Sequence, residues 1–228
     1  MARQRIAVIA CGVFEWNIER LRQQHPTLEL EVIVFPAQLH NNPHRLRELL
    51  QEQIDALDER ADLRGIVIGY GVCGRGTIGL YARSVPLVLP RVQDCIGGFL
   101  GSHARHMEQF SKHPGTRYLT QGWFEKTVAA QPREKYHTER NDSLYGTTFG
   151  ELESRYGSDN ARFICEFRES WKRNYKRSAY ISFTGEDDEA AGRRASEALA
   201  TELDWAHEEL SGDESLILAM LSGDWSDR

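Results

Sequence analysis

The chain has 228 residues, 40% of them hydrophobic, long for one domain, short for two and apolar enough for a sizeable core. Lys and Arg number 28 against 34 Asp and Glu, a net charge of −6. No basic stripe runs through the sequence, which argues against nucleic acid as a partner. The apolar run before Cys11 is too short for a secretion signal, and no stretch approaches the roughly 20 residues that span a bilayer. A cytoplasmic protein is expected, its four cysteines kept reduced and serving packing or chemistry.

Arg5 to Ala10 is a near-continuous apolar run, as a strand buried on both faces should be. Phe14 to His25 carries Phe14, Ile18 and Leu21 at helical spacing. Leu28 to Phe35 reads as a second strand, and Pro43 to Leu57 as a helix with Leu46, Leu49, Leu50, Ile54 and Leu57 on one face. Gly65 to Tyr70 reads as a third strand and Val85 to Leu89 as a fourth. A helix from Asp94 to His106 and a short strand from Thr116 to Leu119 follow. This alternation predicts an α/β fold with a mostly parallel sheet, helices on both faces and right-handed crossovers. Further on, Gln131 to Thr147 is polar and turn-rich, and Glu151 to Lys176 reads as one long helix. Tyr180 to Phe183 reads as a late strand and Gly185 to Asp188 as an acidic turn. Glu189 to Leu210 and Glu214 to Leu221 read as helices. We expect residues 1–125 to form the α/β core and 126–228 a polar connection and helical extension packed on the same domain.

Three cysteines share one kind of position. Cys11 follows the first strand, Cys73 the third and Cys95 the fourth. In a parallel sheet these strand ends lie along one edge, where ligands of open α/β sheets bind. Thiols 62 and 22 residues apart are therefore expected to converge. Asp94 is a natural N-cap that puts Cys95 at a helix start, where the dipole favours thiolate. Three thiolates with an imidazole make a zinc set, and three alone suit a [4Fe-4S] cluster with one iron open. The simpler reading is that each cysteine is packing, as free cysteine usually is. Cys165, in Phe163-Ile164-Cys165-Glu166-Phe167, is read as core.

The same region contains Gly69-x-Gly71-x-x-Gly74 after a strand, with Asp94 20 residues beyond. That matches a dinucleotide fingerprint. The fingerprint normally belongs to the first strand–helix turn, which here is Cys11-Gly12-Val13-Phe14. Gly71 and Gly74 are better read as letting backbone bend around Cys73 and whatever it holds. His40, before the Pro43 helix, is a candidate fourth ligand or acid–base group, or else a loop residue that helps cap that helix. Asp94 and Arg91 are the other candidate catalytic groups; Arg91 would bind an anionic substrate or, more simply, pair with a nearby acid. Arg75 is read in the same way. Glu15 would support the Cys11 loop. Trp123 is read as core, and His103 and His106 as surface. No Ser-His-Asp arrangement and no phosphate-binding loop of the G-x-x-x-x-G-K-[ST] type is present.

Several short segments together carry a resemblance: Ala10-Cys11-Gly12, Leu39-His40-Asn41-Asn42-Pro43, Tyr70-Gly71-Val72-Cys73-Gly74, Pro90-Arg91-Val92-Gln93-Asp94-Cys95-Ile96, Leu100-Gly101-Ser102 and Leu119-Thr120-Gln121-Gly122-Trp123. With these the chain resembles an uncharacterised bacterial and archaeal family, a domain of unknown function. The resemblance is close over about the first 125 residues and weaker around Tyr156-Gly157, Asn160-Ala161 and Gly223-Asp224-Trp225. It implies that Cys11, His40, Cys73, Asp94 and Cys95 belong to the family's pattern while Cys165 does not. It also implies proximity to corrinoid-dependent methyltransferases. The resulting expectation is a metalloprotein with a Cys11–Cys73–Cys95 site, His40 its candidate fourth ligand. It would act on a small molecule in methyl- or sulfur-group transfer, with zinc, or alternatively an iron–sulfur cluster, as cofactor. The alternatives are a non-enzymatic metal- or corrinoid-binding accessory of a methyltransferase and a nucleotide-binding domain using Gly69, Gly71 and Gly74.

Overall fold

The computed structural model describes residues 5–127, 148–184 and 187–225. Two parallel sheets carry the fold. The first contains β1 (Arg5–Cys11), β2 (Leu30–Phe35), β3 (Leu63–Gly69) and β4 (Leu87–Val88), in the order β2-β1-β3-β4. The second contains β5 (Thr116–Leu119), β6 (Arg177–Ser182) and β7 (Ala206–Ser211), in the order β5-β6-β7. Around them stand α1 (Glu15–Gln24), α2 (Pro43–Asp58), α3 (Cys95–Phe99), α4 (His103–Lys112), α5 (Gln121–Thr127), α6 (Phe149–Tyr156), α7 (Ser158–Glu169), α8 (Ala190–Leu203) and α9 (Ser215–Leu221). The α/β class and the parallel pairing agree with the sequence pattern, and a helix closes the described chain.

The first sheet forms as its composition dictates. β1 and β3 are central, and Ile6 to Ala10 and Ile66 to Ile68 are buried on both faces. α2 starts with Pro43 in its first turn, while the Asn42 side chain accepts the Arg45 N–H at 3.1 Å. Its Leu46, Leu50 and Ile54 are fully buried. β4 shrinks to two residues because Pro86 and Pro90 flank it and neither can donate to a ladder.

The expected single helices break for local reasons. The segment 94–106 splits at Gly101, which takes a positive φ of 78° and packs against Asp213; the Ser102 side chain then caps α4. The segment 151–176 splits at Gly157, also at positive φ. The expected helix 189–210 is corrected more substantially. α8 ends at Leu203, Asp204 turns into the left-handed region, and Ala206–Ser211 becomes β7, paired with β6 over six residues. β7 is mostly exposed, so no buried apolar alternation announces it. The edge of the buried strand β6 supplies the ladder instead. The polar stretch 131–147 lies outside the described residues, as does part of the expected turn at 185–188.

The two sheets share one core. Ala179, Ile181 and Leu210 of the second join the buried residues of β1 and β3. Phe99 bridges them, with its ring 4.6 Å from Phe14 and 6.0 Å from Phe183 between centroids. The chain then returns to the first sheet. Buried Asn17 of α1 donates to Glu214 at 2.7 Å, just before α9, and the Trp225 ring lies over Gly65 of β3. α5 presses on the turn after β1, where a Cβ on Gly122 would stand 2.4 Å from the Val13 carbonyl oxygen.

Gly122→Ala is therefore expected to push α5 off the Cys11 turn and to cost about 1–3 kcal/mol. Urea denaturation at unchanged slope checks this, and Gly150→Ala, where a Cβ meets nothing within 4 Å, is the neutral control.

Candidate functional site

Cys11 ends β1, and Tyr70 follows β3 directly across from it, since the last β1–β3 pair is Ala10 with Gly69. Beyond Tyr70 the pairing continues outside the sheet. The Val72 N–H donates to the Val92 carbonyl at 3.0 Å and the Cys73 N–H to the Gln93 carbonyl at 2.9 Å. These bonds draw the Cys73 loop against the segment that leads to Cys95. Gly71 makes the approach possible, because a Cβ there would lie 2.7–2.9 Å from backbone atoms of Gln93 and Asp94. Asp94 caps α3, its Oδ1 accepting the Ile96 N–H at 2.9 Å and the Gly97 N–H at 3.4 Å, so Cys95 opens that helix as expected.

The three thiols share one electrostatic environment. Burial pushes the Cys73 thiol up to about 12, and a charge on Cys11 raises it further. Burial also raises Cys95 well above the thiol range, with Asp94, Cys11 and Cys73 adding to it. Cys95 is only partly covered as a residue, but its sulfur side is densely surrounded by protein, and desolvation dominates. Cys11, buried, is raised by the same cause, partly offset by the Val13 N–H, the nearby Tyr70 hydroxyl and the Gly12 N–H. The charges of Cys11 and Cys73 thus act on Cys95, and that of Cys11 on Cys73. Among the described residues, however, no three His, Cys, Asp or Glu side chains form a ready-made metal-binding group.

The Cys73 loop is strained. Cys73, Gly74 and Arg75 take φ of 44°, 62° and 75° in succession, and a non-glycine residue there costs on the order of 1–3 kcal/mol. The Arg47 guanidinium holds the loop by donating to the Arg75 carbonyl at 3.2 Å. Only a 3-10 turn at Cys73–Arg75, and no α-helix, lies between these glycines and β4. The helix N-terminus that a dinucleotide fingerprint uses for its phosphates is therefore absent after Gly69, Gly71 and Gly74, and Gly71 is occupied in loop packing.

The other candidates fall at various distances from the thiols. His40 is exposed, yet enough protein surrounds it that desolvation lowers its pKa against the opposing pull of Asp94. The capping of α2 falls to Asn42. Arg91 is exposed. Glu15 pairs with Lys126 of α5. Cys165 is half-buried on α7 between Phe163 and Phe167, which are 66% and 65% exposed, so it is not core. His106 is not a surface residue: it is 9% exposed, packs edge-on to Tyr118 and holds Nδ1 3.5 Å from Asp94 Oδ1.

Two further residues lie beside the thiols. Tyr70 is 1% exposed, and its hydroxyl has no well-formed hydrogen bond despite facing Cys11. Arg117 of β5 lies 4.5 Å above the Trp123 ring, and burial lowers its pKa against the pull of Tyr175 and Cys95. Trp123 is thus half-buried beneath a cation beside the thiols. Only the pairing of the second sheet brings Arg117 there, and an isolated arginine in Thr116-Arg117-Tyr118-Leu119 gives no warning of it.

In the metal-free protein the native state keeps the Cys73 proton that the unfolded chain releases near 9.0. Native protons in excess make stability fall as pH rises. Thermal unfolding in chelator is expected to be insensitive to this group below about pH 9 and to weaken from there toward about pH 12. Cys73→Ser should flatten that alkaline limb.

Neither a curated protein nor a solved structure matches the chain. A family model does, over residues 34–221, which include His40, Cys73, Asp94 and Cys95 and leave Cys11 outside. On that match, over most of its length, the chain belongs to the family described as protein of unknown function DUF1638.

Proposed function

We propose that the rim formed by Cys11, Cys73 and Cys95 holds a metal centre, and that the protein is a cytoplasmic enzyme acting on a small molecule in methyl- or sulfur-group transfer. The observation that carries this reading is geometric: backbone hydrogen bonds pair the Cys73 loop with the segment leading to Cys95, beside the end of β1 where Cys11 stands. As thiolates, three such groups in so desolvated a place would repel one another strongly. A thiophilic cation removes that penalty and suits the donor set. The strain at Cys73 fits a loop organised around a ligand.

A single zinc ion would take the three thiolates, with His40 as the candidate fourth ligand. A [4Fe-4S] cluster would take the three thiolates at separate irons and leave one iron open for substrate. Three thiolates weaken the Lewis acidity of zinc but keep a metal-bound substrate thiolate nucleophilic, which favours group transfer over peptide hydrolysis. Around the centre, Asp94 holds Cys95 at its helix start, and Arg117 on Trp123 offers positive charge to an anionic substrate.

A second reading, a non-enzymatic carrier of metal or corrinoid for a methyltransferase, draws on a different surface. Phe149, Tyr156, Phe163 and Phe167 of α6 and α7 are all exposed, and the last two stack. A patch of this kind suits a protein partner.

Anaerobic purification followed by elemental analysis and an absorption spectrum tests the metal centre. Bound zinc without colour, or iron with sulfide and a brown chromophore, is expected. Cys73→Ser should lower metal content at least tenfold, and Cys165→Ser should leave it unchanged. Full retention of metal in Cys73→Ser overturns the assignment.

A further inference from the structure

We infer that Arg75 and Arg91 form an oxyanion-binding site on the solvent side of the Cys73 loop, and that the small molecule this protein acts on carries a phosphate or carboxylate there. The inference rests on the reading of the thiol site as the working centre, and it names the substrate class of that centre.

Three arginines bracket the Cys73 loop. The Cys73 N–H donates to the Gln93 carbonyl at 2.9 Å. Arg75 stands two residues beyond the donor, and Arg91 two residues before the acceptor. Arg47 of α2 donates from Nη2 to the Arg75 carbonyl at 3.2 Å. α2 itself abuts the loop: a Cβ on Gly74 would lie 3.3 Å from Cγ of Pro43, the first residue of that 16-residue helix. The positive end of its dipole therefore adds to the arginine charge.

This cationic surface belongs to a chain of net charge −6 in which arginines are commonly matched to carboxylates. Arg60 pairs with Glu31 and Asp62, Arg177 with Glu208 and Arg193 with Glu209. Among the described residues, Arg47, Arg75 and Arg91 make no ion pair. Asp94, the carboxylate nearest to Arg91 along the chain, accepts the Ile96 and Gly97 N–H groups instead. The simpler expectation for Arg91, pairing with a nearby acid, is thus not met. Arg75 keeps its charged side chain at a φ of 75°, a left-handed conformation that glycine or asparagine takes at less cost. Both Arg75 and Arg91 are exposed, so their charge is offered to solvent, where a ligand arrives. A guanidinium binds phosphate or carboxylate through two parallel hydrogen bonds, and a bound oxyanion balances the surplus charge of this loop.

Phenylglyoxal modifies accessible arginines, and peptide mapping by mass spectrometry reads each site separately. In the full chain as purified, inorganic phosphate should slow modification of Arg75 and Arg91 roughly fivefold or more, compared with chloride at equal ionic strength. The exposed Arg64 and Arg155 should react alike in both. Acetate in place of phosphate tells the two oxyanions apart: protection by phosphate alone supports a phosphorylated substrate, and protection by acetate alone supports a carboxylate. Arg91→Gln should weaken the phosphate protection of Arg75 roughly tenfold in affinity. Unslowed modification of Arg75 and Arg91 in both anions overturns the inference. Equal slowing at Arg64 and Arg155 overturns it too, as does undiminished protection of Arg75 in Arg91→Gln. Protection in a protein that carries neither zinc nor iron supports the arginine site and defeats the metal reading. Bound metal without protection by either anion does the reverse, so the two failures are distinct.

Discussion

Parallel pairing of β1 with β3 is the constraint on which the rest of this molecule depends. It aligns the ends of two strands that lie far apart in the chain, so that Cys11 and Tyr70 emerge together. The same alignment carries on past the strands, where two backbone hydrogen bonds join the Cys73 loop to the segment before Cys95. Each step depends on the one before. Without the β1–β3 register, Gly71 has nothing to pack against and α3 no reason to start beside Cys73.

The site stands against the preferences of its own residues. Thiols there resist ionisation because water is excluded, and three successive residues of the Cys73 loop occupy the left-handed region. Such a loop persists only where its surroundings over-determine it. Here the surroundings are the fully buried Leu46, Leu50 and Ile54 of α2, the grip of Arg47 on the Arg75 carbonyl, and Leu46 packed against Gly76. Strain at the rim is thus held by ordinary hydrocarbon packing beneath it, and the rim's chemistry is separable from the stability of the sheet.

The second sheet does more than extend the fold. β5 brings Arg117 over Trp123 and toward Cys95, while α5 clamps the turn that follows β1. The Phe14–Phe99–Phe183 cluster and the Glu214 contact with Asn17 tie this half to the first. Asp94 works on both sides of the division. It caps the helix of Cys95 and lies beside His106, which packs on Tyr118 of β5. Positive charge at the site therefore comes from one sheet and sulfur from the other.

Much of this was legible in the chain, and the reason is periodicity. Ile6 to Ala10, Ile66 to Ile68 and the spacing of α2 report local burial, which the residues themselves carry, so the first sheet and the placement of Cys11, Cys73 and Cys95 at its rim follow from pattern alone. Local chemistry singled out Asp94 as a helix cap and His40 as a loop imidazole, and the family motifs include both. What pattern could not reach was whatever depends on a partner far away in sequence. β7 is polar and becomes a strand because β6 offers it an edge. His106 looks like a surface residue of a helix until Tyr118 and Asp94 close around it. Tyr70 and Arg117 acquire their surroundings from neighbours on other elements, Cys11 at the end of β1 and Trp123 on α5. A residue's own apolarity is written in its side chain, whereas hydrogen-bond partners, strain and shared charge exist only between groups that folding has brought together.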